Sequence, residues 1–128
     1  MNFADYIAEK VSNSELANVE KFADALFKEL DIDVEFQKHF KDRLNDNRNR
    51  PDISVSELKA LFQGAFKKHA KRIADMPDGR EAMLLLVNGD LNLPFIMKWD
   101  KKNKEFDLIP KTVMRKKNFT TRTRTMKV

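Results

Sequence analysis

His39 and Arg43 stand one turn apart in His39-Phe40-Lys41-Asp42-Arg43, a spacing that projects both from one face of a helix. They lie about 60° round the helix from the apolar stripe Phe36, Phe40 and Leu44, at the border of the face a core would bury. A histidine there moves a proton near neutral pH, and an arginine holds a phosphate by two parallel hydrogen bonds. The same pair also suits an ordinary solvated helix flank, so spacing alone leaves both readings open. A second cluster is Lys111-Thr112-Val113-Met114-Arg115-Lys116-Lys117. Alternation along a strand would put Lys111, Val113 and Arg115 on one face and Thr112, Met114 and Lys116 on the other. Lys98, on the preceding apolar run, would add to either face. A His/Arg helix beside Lys/Arg strands has what metal-free phosphodiester cleavage requires. It supplies an acceptor for the 2′-hydroxyl proton and fixed cations around a phosphate gaining charge.

The elements that must position these residues are legible from periodicity. Ser12-Asn13-Ser14-Glu15 has capping-box spacing, and Leu16, Val19, Phe22, Ala23, Leu26, Phe27 and Leu30 then recur at three and four, which predicts a helix over 13–30. Phe3, Tyr6 and Ile7 suggest a short helix before it. The Phe36 stripe predicts a helix over 34–47, with Asp31, Asp33 and Glu35 read as capping and N-terminal dipole charges and Pro51 closing the polar run after it. Ser54-Val55-Ser56-Glu57 is a second capping box and opens a helix over 54–75, ended by Met76-Pro77-Asp78-Gly79. Beyond it the period shortens. Met83–Asn88, Leu93–Trp99 and Glu105–Ile109 are strand-length apolar runs, the last two joined by the hairpin-like Asp100–Lys104. Pro110 belongs at a bulge or an edge, and from about Thr120 the chain reads as a flexible basic tail.

This predicts an α+β fold, with N-terminal helices packed against a C-terminal antiparallel β-sheet built from 83–116. At 128 residues with 41% hydrophobic content, one core and one domain over 1–128 are expected. There is no cysteine, which excludes disulfides and thiolate sites. With histidine only at 39 and 69, a His-rich zinc centre is out of reach. No apolar run approaches the roughly 18 residues of a membrane span and the first residues lack signal-peptide character, so a cytoplasmic location is expected. Charge is uneven: residues 98–128 carry eleven Lys+Arg against three acids, a local +8, while fourteen basic and seventeen acidic residues precede them, a local −3. Such asymmetry points to a polyanion as partner. Trp99, beside Lys98, reads as hairpin packing or as a base-stacking ring.

The order of these features resembles the barnase/EndoU/colicin/RelE-like nucleases, the small ribonuclease fold of bacterial toxins, and especially its phage-encoded types. The resemblance rests on H-x-x-D-R at His39–Arg43, then Arg48, then a helix with Glu57-Leu58, then a sheet ending in the Thr-containing Lys111–Lys116. The H-x-x-D-R stretch and the helix after it are similar to the RegB-type phage endoribonucleases, which implies catalytic roles for His39 and Arg43. The likeness covers 36–118 as a nuclease-like core, leaving 1–35 as a helical extension and 119–128 as the tail. It departs at Gln63, where the RegB type has a second histidine, since His69 lies six residues further and about 240° round the helix. The C-terminal tyrosine of some RelE-like toxins is also missing, the sole tyrosine being Tyr6.

Together these readings predict a metal-independent endoribonuclease that needs no cofactor and leaves a 2′,3′-cyclic phosphate and a 5′-hydroxyl. His39, Arg43 and Arg115 are its expected catalytic residues. Arg48, Lys98, Lys111, Thr112, Lys116 and Lys117 are expected to bind RNA, including mRNA on the ribosome. The alternative is a non-enzymatic phage accessory protein in the host cytoplasm. It would bind nucleic acid or an acidic host protein through the basic C-terminal sheet.

Overall fold

A computed structural model of the chain describes residues 10–128; the short helix suggested by Phe3, Tyr6 and Ile7 lies outside them. The elements are α1 (Asn13–Phe27), β1 (Ile32–Val34), α2 (Phe40–Leu44), α3 (Val55–Ala74), β2 (Glu81–Leu86), β3 (Leu91–Asp100), β4 (Glu105–Pro110), β5 (Met114–Arg115) and β6 (Arg124–Lys127). The fold is α+β, as the change of period implies.

Both capping boxes form. Ser12 Oγ accepts the Glu15 N–H at 3.2 Å while Glu15 Oε1 accepts the Ser12 N–H at 3.1 Å, and Ser54 and Glu57 repeat the exchange at 3.2 and 3.1 Å. Each box satisfies donors that the first helical turn leaves without partners. From those starts, Leu16, Val19, Ala23 and Phe27 of α1 and Leu58, Leu61, Phe62, Ala65 and Ile73 of α3 are buried. They pack on the sheet face that carries Ala82, Leu84, Leu93, Phe95, Met97, Leu108 and Met126.

The strand order is β1-β4-β3-β2-β6, with β5 pairing β3 off that path. The centre β2-β3-β4 is the expected antiparallel meander. The sheet as a whole is mixed, because β1 joins β4 and β6 joins β2 in parallel. That corrects the purely antiparallel expectation. β5 lies against Leu91 and Asn92, while β6 begins beside Ala82 at the other end of β2. The intervening chain therefore travels the length of the sheet before pairing, and a strand that has done so enters parallel. The expected flexible tail is likewise corrected: Arg124–Lys127 is a strand, Val128 N donates to Leu85 O at 2.8 Å, and Met126 is buried.

The expected helix over 34–47 shrinks to Phe40–Leu44. Asp24 Oδ1 accepts the Val34 N–H at 2.6 Å and Glu20 Oε2 accepts the Phe36 N–H at 2.7 Å. These carboxylates on α1 hold the backbone extended, and Ile32 and Val34 bury themselves as an edge strand. Asp33 is thus a strand residue, not a cap. Phe36 reaches the core from a loop, stacked 4.7 Å from Phe40 and tilted against Phe62 at 5.8 Å.

Candidate phosphate-binding groove

Segment 114–116, the end of the predicted basic strand, is fastened by three side chains. Asn49, 4% exposed, accepts the Arg115 N–H at 2.9 Å through Oδ1. Its Nδ2 donates to Arg43 O and Leu44 O at 3.1 and 3.2 Å, closing the end of α2. Asn92, 1% exposed, donates through Nδ2 to Asp90 O, Met114 O and Lys116 O at 3.0–3.3 Å. A buried amide that meets every neighbouring carbonyl fixes a backbone that no regular ladder would hold.

The third fastening is Arg115 itself. Its guanidinium donates to Pro51 O at 2.8 Å, Gly89 O at 2.6 Å, Asp52 O at 3.2 Å and Glu57 Oε1 at 2.8 Å. Glu57 is the capping-box carboxylate of α3, so one oxygen pins the start of that helix to β5. The Arg115 guanidinium beside it holds the Glu57 carboxyl below its usual range, helped by the Ser54 bonds and opposed by burial. Four of the five guanidinium N–H groups are thereby engaged, and the side chain is only 10% exposed. Arg115 is consequently a structural clamp, and no fork remains for a substrate phosphate. This corrects its expected catalytic role.

These fastenings shape a groove of about 440 Å³ between the end of α2 and the 112–116 segment. Arg43, Arg48, Thr112, Arg115 and Lys116 all line it. Five of the nine residues singled out from the sequence therefore converge here, from two stretches more than sixty residues apart. Their states differ. Arg48 forms a two-pronged pair with Asp46, Nε to Oδ1 at 3.1 Å and Nη2 to Oδ2 at 3.0 Å, which holds the Asp46 carboxyl down at about 2. With Arg48 matched by Asp46 and Arg115 by Glu57, the groove's uncompensated cations are Arg43 and Lys116. Arg43 is exposed and forms no ion pair with a described residue. Lys116 rests its ammonium 5.9 Å from the Phe119 ring.

The remaining predicted residues lie elsewhere. His39 precedes the first turn of α2, its side chain 74% exposed, with Nδ1 3.9 Å from Asp42 Oδ2; it does not line the groove. Lys111 is ion-paired with Glu81. Lys98 pairs in register with Asp107 near the opposite end of β3. Lys117 is exposed, next in chain to the groove wall.

A carboxylate group also gathers where β1 meets β4. Asp33, Glu105 and Asp107 bring ligand-type oxygens within 4.8 Å of one another, a geometry able to hold a cation. Burial, with Glu35 and Asp33 nearby, pushes the Asp107 carboxyl up to about 6. Its Oδ1 is buried without a hydrogen-bond partner among the described residues. The trio is not legible from local pattern, because Asp33 reads as a helix cap and its parallel pairing with Asp107 has no local signature.

Compared with known proteins, the chain matches no family, no curated protein and no solved structure. No helix of the described residues is long and apolar enough to cross a membrane.

Proposed function

We propose that this protein binds RNA by gripping its phosphodiester backbone in the Arg43–Lys116 groove. The observation that carries this reading is the pair of cations left uncompensated there, on walls held rigid by Asn49, Asn92 and Arg115. Cations that form no internal pair keep their charge available for a phosphate, and the fastened backbone beneath them sets where they can reach. Arg43 supplies the planar fork, Lys116 a point charge, and Thr112 a hydroxyl.

A second reading, metal-independent RNA cleavage, is supported by His39. Its ring is open to solvent one turn from Arg43, with Asp42 3.9 Å from Nδ1. The RelE-like nuclease resemblance belongs to this reading. One experiment separates the two. Purified protein is mixed with RNA in EDTA, binding is followed by anisotropy, and any new ends are analysed. Binding lost roughly tenfold or more in Arg43→Glu with Lys116→Glu supports the groove; unchanged binding rejects it. Cleavage leaving 2′,3′-cyclic phosphate ends and falling about 10²–10⁴-fold in His39→Ala supports the enzyme. Intact RNA rejects it and leaves the binder.

A further inference from the structure

Register places a second set of cations at the other end of the sheet. Arg124 pairs with Ala82, whose side chain is buried among the core residues beneath the helices. Arg80 lies just before β2 and Arg122 just before β6, at the same end of the sheet. Helix α3 ends at Ala74, and its last turn, with Arg72, borders this end of the sheet. A groove of about 460 Å³ opens there between Arg80, Arg122 and Arg124. An adjoining one, sharing Arg80 and Arg124, brings in Arg72.

The acids of this region do not neutralise these arginines. Glu81 and Asp78 line the groove as well, but Glu81 is already ion-paired with Lys111. Asp78 Oδ1 accepts the Trp99 N–H at 2.9 Å. Asp75 caps the end of α3 and forms no ion pair with a described residue. Arg80, Arg122 and Arg124 are exposed, and their side chains form no ion pair or hydrogen bond with a described residue. The Arg72 guanidinium meets His69 Nδ1 at 3.4 Å and forms no ion pair with a described residue.

Trp99 stands on β3, the strand next to β2. It is 42% exposed, one of two large hydrophobic side chains so placed among the described residues. The Phe106 ring meets it at 5.0 Å in an edge arrangement, which steadies the indole and leaves part of it open. The Asp78 bond ties its backbone to the turn that carries Arg80. Arginines tracking a backbone beside an open aromatic ring are what single-stranded nucleic acid recognition uses.

We propose that the Arg80/Arg122/Arg124 groove with Trp99 is a binding site for single-stranded RNA, in which a base stacks on the indole and the arginines hold the flanking phosphates. This rests on the RNA reading above but uses different residues, so the two fail separately.

Trp99 is the sole tryptophan, so its fluorescence reports on this site alone. The protein is titrated with single-stranded oligouridylate, with duplex RNA, with heparin as a base-free polyanion and with polyglutamate as an acidic peptide. Binding is followed in parallel by anisotropy. Oligouridylate is expected to quench the tryptophan strongly and the other three weakly. Arg80→Glu with Arg122→Glu and Arg124→Glu is expected to abolish the quenching and lower affinity at least tenfold. Trp99→Leu should lower affinity roughly tenfold, and Arg43→Glu with Lys116→Glu should leave the quenching in place. Oligouridylate that binds by anisotropy without quenching overturns this site and leaves the Arg43 groove standing. Equal quenching by heparin, or full affinity in Trp99→Leu, overturns the stacking. Polyglutamate binding in place of RNA overturns both readings.

Discussion

At the scale of single residues, Arg115 shows how a basic side chain in a promising stretch can belong to the scaffold. Arg115→Lys retains the charge but loses the fork, leaving the carbonyls of Pro51, Asp52 and Gly89 to find other partners. We expect it to lower unfolding free energy by about 2 kcal/mol in urea denaturation. A phosphate-holding residue would instead leave stability unchanged and reduce RNA affinity. Asn92→Ala should cost a similar amount, about 1–3 kcal/mol, because its buried amide serves Asp90, Met114 and Lys116 at once. Neither fastening was legible in the sequence. Asparagine reads there as a turn former, and only the tertiary fold reveals the carbonyls it must meet. Arg43, Arg48, Thr112 and Lys116 were legible because residue type and rough placement sufficed. His39 was found as a type, but its distance from the groove depends on α2 beginning late, and no local pattern sets that.

At the scale of elements, the capped helices and the central meander follow from spacing that any reader can count. The edges do not. β1 was hidden because Phe36, Phe40 and Leu44 satisfy a helical period while the carboxylates of Asp24 and Glu20 hold the chain extended. Those same contacts gather negative charge at this edge. Burial, the largest cause, raises Asp24 to about 6, against the lowering effect of its bond to Val34 N and with Asp33 adding to the rise. Asp107 reaches about 6 as well. Both start from 3.8, so over that interval the folded state holds protons that the unfolded state has released. Stability is then fullest below the unfolded value and is lost as pH rises through about 6. Denaturation midpoints should fall from pH 4 toward pH 7, in so far as these two groups dominate the linkage. Asp107→Asn should flatten that slope and raise the midpoint at pH 7. A parent protein whose midpoint climbs over the same interval would show that the depressed carboxyls, Asp46 and Glu57 among them, outweigh this edge.

At the scale of the whole molecule, the exposed cations gather at two places along β3. The Arg43–Lys116 groove lies beside the Leu91 end of β3 and the arginine groove beside its Trp99 end. The chain joining β5 to β6 contributes Lys116, Lys117 and Arg122 on its way between them. Four phosphate contacts on single-stranded RNA would make log K fall against log salt with a slope of about −3. Charge reversal at Lys21 or Lys28 on the acidic N-terminal side should leave that slope unchanged. An affinity indifferent to salt would direct attention to an uncharged ligand.

The mixed sheet carries one more consequence, in the order in which its parts come loose. Its centre is a meander closed by short connections, whereas both flanking strands are recruited from far along the chain in parallel pairings. Local pairings form early and open late, and distant ones carry the larger loop-closure cost. Native-state amide exchange should therefore resolve two layers of protection. Hydrogens of β1 and β6 should exchange through partial opening, at rates little affected by dilute denaturant. Those of β3, flanked by partners on both sides, should exchange only with global unfolding. Uniform protection across all the strands would mean that the sheet opens as one unit.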